Sequence, residues 1–299
     1  KTPVILDTDI GSDIDDTWAL VHLLRSPELD PKLVVTATCD PVYRARVVAK
    51  LLEIAGRTGI EIGIGLPGDP CNEFQAPWLG DYALESYPGT VHEDGVNAMV
   101  RLIRESDQEV TLIGIGPAPN IKAALDRAPD IAERCRFVGM YGSIDRGYGP
   151  KSDPTPETNV RVDVAAARAI FAAPWREIVI TPLDTCDQAV LSGERYAAIR
   201  DTDDPVLEAL MANNRAWSKL VNWMDASFIE KRSSTLFDTV AIYLAYSEEG
   251  LEMSEMSIGI TDDGMTVRDP SGSRVRVALA WTDLDGYLQH LTDRLLSEG

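Results

Sequence analysis

Val4-Ile-Leu-Asp7-Thr-Asp9-Ile-Gly11-Ser-Asp13-Ile-Asp15-Asp16-Thr-Trp-Ala-Leu20 is the stretch from which the rest of the chain can be read. Its first residues are an apolar run of strand type, broken at Gly11. From Thr17 to Leu24 the pattern becomes helical. Strand, tight loop and helix are the first half of a βαβ unit. The loop carries five aspartates, Asp7, Asp9, Asp13, Asp15 and Asp16. A strand end followed by a helix start draws such side chains together, and unpaired carboxylates at close range repel. Helix capping and the favourable helix dipole account for one or two of them, not for five. The stretch has no Lys or Arg. A hard divalent cation with oxygen ligands, Ca²⁺ or Mg²⁺, is the natural counter-charge.

Outward from this loop, strand-like and helical runs alternate. The strand-like runs are Val4–Leu6, Leu33–Thr38, Ile60–Ile64, Val110–Ile113, Phe137–Met140 and Ile178–Ile180. Helical patterns lie at Thr17–Leu24, Arg44–Ala55, Val96–Arg104, Ile121–Ala128 and Val164–Ala172. The alternation predicts an α/β fold with a mainly parallel, Rossmann-like sheet flanked by helices. Ligands of such sheets bind beyond the carboxyl ends of the strands. After Leu183 helical segments dominate from Tyr196 to Leu244. A β-hairpin is expected near Met265–Val267 and Arg274–Ala278, then a last helix from about Leu284 to Leu296. No Gly/Ser/Pro-rich linker separates these additions, so residues 1–299 read as a single domain.

The formal charge of -20 is spread along the chain, and such a surface repels nucleic acid and anionic lipid. No apolar run is long enough to span a membrane. The expected partner is therefore a small molecule. Cys39, Cys71, Cys135 and Cys186 form no C-x-x-C pair and no zinc spacing. Cys39 and Cys135 flank apolar runs and read as buried small hydrophobes, with no disulfide framework. This favours a cytoplasmic protein; the sequence starts at Lys1 rather than Met, which leaves an exported form open.

Two known metal loops fit the acidic stretch poorly. An EF-hand needs an oxygen ligand where Gly11 stands and Glu where Trp18 stands. The Asp-x-Asp of haloacid dehalogenase-like phosphatases, with Asp7 as nucleophile, leaves Asp13, Asp15 and Asp16 unexplained. The chain instead resembles the inosine-uridine nucleoside hydrolase family, which opens with a strand, Asp-x-Asp-x-Gly-x-Asp-Asp and an apolar helix. Here Asp7-Thr-Asp9-Ile-Gly11 and Asp15-Asp16 match, with a loop two residues longer that lets Asp13 replace an expected ligand. Thr36–Asp40 sits where the family has an Asn that touches the sugar. Thr111-Leu-Ile-Gly-Ile-Gly116-Pro-Ala-Pro-Asn120, Val138-Gly-Met140-Tyr-Gly142, Glu157-Thr-Asn159 and Phe237-Asp238 follow in the family's order.

The resemblance implies calcium-dependent hydrolysis of an N-glycosidic bond in a ribonucleoside or related N-ribosyl compound. It implies Ca²⁺ held by Asp9, Asp16, Asp238 and the Ile115 carbonyl, and an activated water with Asp9 as general base. Asp15, Asp40, Met140, Glu157 and Asn159 would bind the substrate, and the protein would be a homo-oligomer, a dimer or tetramer. The family's His before the late Asp is here Phe237, which has no proton to give. Of the three histidines only His92 lies in a loop with a route to the pocket; His22 and His290 read as structural or exposed. Trp217, Trp223, Phe228 and Tyr141 are candidates for stacking on a base. Two alternatives stand beside the hydrolase: a calcium-dependent sugar- or nucleoside-binding protein with little turnover, and a Mg²⁺-dependent phosphatase-like hydrolase.

Overall fold

The computed structural model describes residues 1–297. Ten strands form one sheet: β1 (Thr2–Thr8), β2 (Leu29–Thr36), β3 (Glu61–Ile64), β4 (Val91–His92), β5 (Val110–Gly114), β6 (Cys135–Met140), β7 (Glu177–Thr181), β8 (Leu251–Ile260), β9 (Thr266–Arg268) and β10 (Ser273–Trp281). Their spatial order is β4-β3-β2-β1-β5-β6-β7-β10-β8-β9. All pairings from β4 to β10 are parallel; β10 with β8 and β8 with β9 are antiparallel.

The helices are α1 (Asp15–Leu24), α2 (Pro41–Ile54), α3 (Ala76–Leu79), α4 (Gly95–Glu105), α5 (Pro119–Arg127), α6 (Thr158–Val162) and α7 (Val164–Ala172) in the first part. The later part adds α8 (Leu183–Cys186), α9 (Gly193–Arg200), α10 (Pro205–Ser218), α11 (Phe237–Leu244) and α12 (Leu284–Leu296). Helices cover both faces, which is why the central strands are apolar without interruption. Val4, Leu6, Val34 and Ile113 share one core with α1, α2, α10, α11 and α12. Ile5, Leu33, Val35 and Leu112 point the other way, into a core with α4, α5 and α7.

Two expectations are corrected. The C-terminal strands β9 and β10 do not pair as a hairpin: both flank β8, with Ile258 opposite Arg268 and Val277 opposite Ser254. β8 escaped notice because Leu-Glu-Met-Ser-Glu-Met alternates weakly, and its side chains are mostly half-buried. Cys39 is not a buried free thiol but is bonded to Cys71, with Cα atoms 5.6 Å apart. Cys135 and Cys186 are buried and free.

β1 lies between β2 and β5, and the chain runs outward from it first one way and then the other. The loops after β1 and β5 therefore part and leave a crevice at the switch point. The acidic stretch and Ile115 lie in those two loops.

Candidate active site

Thr8, the last residue of β1, accepts from the Ile10 amide (3.1 Å) and donates its hydroxyl to Asp16. Gly11 then turns the chain at φ +115, where a side chain is strained. A Cβ there would meet the Tyr43 ring at 2.7 Å. The Tyr43 hydroxyl donates to the Gly11 carbonyl at 2.9 Å. α1 begins at once, with Asp15 and Asp16 in its first turn, and Asp238 comes from the first turn of α11. Oxygens of Asp15, Asp16 and Asp238 lie within 4.8 Å of one another, all three residues buried. Burial first, and then repulsion from neighbouring carboxylates, pushes all three well above the usual carboxylate range. Three hard, buried oxygen donors whose charges lack solvent fit a divalent cation of the Ca²⁺ or Mg²⁺ type.

Asp9 stands outside that trio, closer to the β5 loop. A Cβ on Gly116 would lie 2.6 Å from Asp9 Oδ1, so only glycine lets the two loops approach. Burial raises the Asp9 carboxyl, and the Arg44 charge opposes this. Arg44, from α2, is the cation that the acidic stretch lacks. It is 1% exposed. Its guanidinium donates to the carbonyls of Asp9, Ile10 (2.8 Å) and Thr38 (3.2 Å) and to the Ser12 hydroxyl (3.1 Å). Gln75 is a second unheralded anchor: its side chain donates to the Asp13 carbonyl (2.7 Å) and accepts from Thr17 and Asn213. Neither residue is marked in the sequence, because each is a long-range partner on an otherwise ordinary segment.

A cleft of about 350 Å³ opens over these acids. On one side Glu157 caps α6, accepting from the amides of Asn159 (2.7 Å), Gly142 (3.1 Å) and Val160 (3.2 Å). Burial lifts its carboxyl to about 7 against those three donors. The Asn159 amide donates to the carbonyls of Met140 (3.0 Å) and Ile115 (3.4 Å). This ties the ends of β5 and β6 to the cleft floor. Four aromatic rings stand in the remaining walls, beside Ser12, Cys71 and Asn72. Phe74 packs edge-on to Trp223 at 5.6 Å, and Tyr148 edge-on to Phe237 at 6.0 Å. The Tyr148 hydroxyl is held by the Thr158 amide (3.1 Å) and hydroxyl (2.9 Å).

The family model for inosine-uridine preferring nucleoside hydrolase matches residues 4–289. The chain belongs to that family. A pyrimidine-specific ribonucleoside hydrolase, RihA of Enterobacter sp. (strain 638), is 30% identical over 68% of this chain and 67% of its own length. The non-specific ribonucleoside hydrolase RihC of Escherichia coli O7:K1 is 29% identical over 73% and 74%. Among solved structures, a plant nucleoside hydrolase superposes with a TM-score of 0.81 at 21% identity, covering 99% of both chains. The purine-preferring ribonucleoside hydrolase of Gardnerella vaginalis gives 0.77 at 20%, covering 98% of both. Those two likenesses show the shared α/β fold.

Within this nucleoside hydrolase, the cleft gathers most of the residues that the sequence singles out. Asp9, Asp13, Asp15, Asp16 and Asp238 line it; so do Ile115, Met140, Glu157 and Asn159, with Trp223 and Phe237. Two expected residues are elsewhere. Asp40 is exposed and is spent as the N-cap of α2, accepting from the amides of Val42 (2.9 Å) and Tyr43 (3.0 Å). His92 lies in the edge strand β4, paired with Glu61 at 2.7 Å. Among the candidate stackers only Trp223 reaches the cleft: Trp217 is core, and Tyr141 is buried with its hydroxyl on the Gly116 carbonyl (2.7 Å). Asp7, the nucleophile of a phosphatase reading, is fully buried and receives the Asn120 amide at 2.8 Å. Phe74 and Tyr148 were legible only as aromatics stranded in polar loops.

Proposed function

We propose that this nucleoside hydrolase cleaves the N-glycosidic bond of a ribonucleoside, or of a related N-ribosyl compound, with Ca²⁺ as its cation. The observation that carries this reading is one cleft with a carboxylate floor and aromatic walls. Asp16 and Asp238, with Asp9, Asp15 and the Ile115 carbonyl, are the donors that would hold the cation. When bound, it supplies Lewis acidity that makes a water easier to deprotonate and orients sugar hydroxyls.

Asp9 is the proposed general base. Burial raises its carboxyl, the buried Arg44 charge opposes that rise, and in its carboxylate form Asp9 accepts the proton of an attacking water. Glu157 and Asn159 accept and donate to the ribose hydroxyls, their rotamers fixed by the backbone bonds just described. N-glycoside cleavage passes through an oxocarbenium-like sugar, so a floor of carboxylates favours the transition state over the neutral substrate. The rings of Phe74, Trp223, Tyr148 and Phe237 offer flat apolar surface to a base. Phe237 has no proton to donate, so the departing base must take one elsewhere. The Tyr148 hydroxyl is the phenol that lines the same wall.

Phe237 also favours a second reading, a calcium-dependent nucleoside-binding protein with little turnover. The experiment that separates the two is release of reducing sugar from a panel of purine and pyrimidine ribonucleosides, with Ca²⁺ and with chelator. Calcium-dependent release, abolished by Asp9→Asn with thermal unfolding unchanged, supports the hydrolase. Tight binding without product, unaffected by Asp9→Asn, would leave only the binding protein.

A further inference from the structure

One wall of the cleft is built differently from the others. Phe74, Asn72 and Cys71 line it, and they come from the segment between β3 and α3. From Leu66 to Glu73 that segment has no helix or strand, and Pro67 to Glu73 is exposed throughout. Its first half is fixed by two backbone bonds, Thr38 to the Leu66 carbonyl (2.9 Å) and Gly68 to the Cys39 carbonyl (3.1 Å). Its far end is fixed at Gln75, whose amide donates to the Tyr43 hydroxyl at 3.1 Å. Between Gly68 and Gln75 the one covalent attachment to the rest of the fold is the Cys39–Cys71 disulfide.

The other end of this bridge is held firmly. Thr38 and Cys39 are consecutive non-glycine residues in the left-handed region, at φ 65 and 45. Such conformations are strained for residues with a side chain and persist only where their surroundings over-determine them. Here Arg44 supplies that restraint, donating to the Thr38 carbonyl (3.2 Å) and hydroxyl (3.3 Å). The turn aims Cys39 at Cys71. Arg44 and Ser12 also contact the Cys71 sulfur, at 3.5 and 3.4 Å. The bridge thus joins the exposed segment that leads into Phe74, whose ring packs on Trp223, to the corner that carries the acidic loop.

We propose that the Cys39–Cys71 disulfide is a positioning device that presents Phe74 and Asn72 to the leaving group, and that its reduction by a dithiol weakens substrate binding. The inference rests on the pocket being the nucleoside site. Cys71 is the exposed partner and Cys39 is half-buried, and exposed disulfides are the labile ones. One thiolate of the dithiol attacks the Cys71 sulfur, and Cys39 leaves as a thiolate that takes up a proton. The second thiol closes on the mixed disulfide and releases Cys71. Two electrons pass to the protein, and the dithiol becomes a cyclic disulfide.

The test uses the intact, calcium-loaded protein purified without reductant, before and after dithiothreitol. Hydrogen exchange is followed by mass spectrometry on peptides covering residues 66–79. Exchange of the Cys71–Phe74 amides is expected to rise about tenfold or more on reduction, because the disulfide is the segment's one covalent tie to the fold and its loss lowers the free energy of local opening. KM for the ribonucleosides that the enzyme hydrolyses is expected to rise about tenfold with kcat within about twofold, the cost of ordering one or two side chains on binding. Cys39→Ser should reproduce the reduced enzyme and no longer respond to reductant. Exchange and KM both indifferent to reduction would overturn the proposal. So would four free thiols in the unreduced, denatured protein, because no bridge would then exist. Absence of turnover in the oxidised enzyme would sink the hydrolase reading instead, and the exchange measurement would still decide the role of the bridge.

Discussion

Arg44 brings a buried positive charge against the acidic loop of a chain with a formal charge of -20. It bonds the backbone carbonyls of Asp9, Ile10 and Thr38 and no aspartate side chain, so it fixes where the loop runs and lets the aspartate side chains face the cleft. Arg44→Met should destabilise the metal-free protein by about 3–5 kcal/mol, because several buried acceptors and nearby carboxylates lose their cation. Arg44→Lys should recover only part of this, since an ammonium cannot reproduce the fork. Urea unfolding in the presence of chelator measures both. Phe237 gives the complementary prediction. Phe237→His places a proton donor against Tyr148 on the cleft wall. kcat on ribonucleosides with poor leaving groups should rise by about tenfold to a hundredfold, as positioned acids do. The donor must be protonated, so the gain should fade as pH rises through about 6.5; a pH–rate profile checks it. The acidic loop was legible at this scale because Asp9, Asp13, Asp15 and Asp16 follow one another closely after one strand. Arg44, Gln75 and the Cys39–Cys71 bridge were not, because each acts across 30 or more residues on a partner that no local pattern names.

Asn120 shows how the elements around the switch point are held in register. It lies in the first turn of α5 and reaches three strand ends at once. Its amide donates to Asp7 (2.8 Å) and to the Thr36 carbonyl (3.1 Å), and its oxygen accepts from the Leu66 amide (2.7 Å). Asn120→Ala leaves these groups buried without partners, and unmade buried bonds cost about 1–3 kcal/mol each. A loss of about 3 kcal/mol is expected, with kcat falling as the loops after β1 and β5 loosen; paired unfolding and rate measurements check it. Strands β1, β2, β3, β5, β6 and β7 were legible because burial makes them apolar runs; β4, two half-buried residues at the sheet edge, reads as a loop. β8 was not legible, since an antiparallel strand with half-exposed faces mixes Glu, Ser and Met without a clean period. Asp40, expected at the sugar, stands as the cap of α2 outside the cleft lining, and a helix cap and a ligand carry the same side chain.

Across the whole molecule, the first and last helices are joined by a partly buried polar chain. His22 on α1 bonds the Tyr246 hydroxyl at 2.8 Å, and the same hydroxyl meets His290 on α12 at 2.9 Å. Burial first, then the charges of His290 and Arg294, pushes His22 down to about 3; His290 is also lowered, and Arg294 pairs with Glu28 at 2.8 Å. The folded His22 refuses a proton that the unfolded chain accepts near pH 6.5. Its contribution to stability is therefore complete above that pH and is lost as pH falls toward 3, at about 1.4 kcal/mol per pH unit. The difference in unfolding free energy between the unaltered protein and His22→Asn, followed from pH 7.5 to 5, should show this slope, because the raised carboxylates of the cleft titrate alike in both.

The central place of β1 also bears on how the chain comes off the ribosome. β1 emerges first, and β2 follows at Leu29, but the partner for its other edge begins only at Val110. At translation speeds of about 5–20 residues per second, that edge waits on the order of 5–20 s for β5. An apolar strand with an open edge is a template for the wrong neighbour. While it is still bathed in water, Asp7 and Asp9 are ionised and repel a second nascent copy that aligns alongside. Asp7, later buried against Asn120, and Asp9, later in the cleft, thus begin as gatekeepers of a half-made sheet.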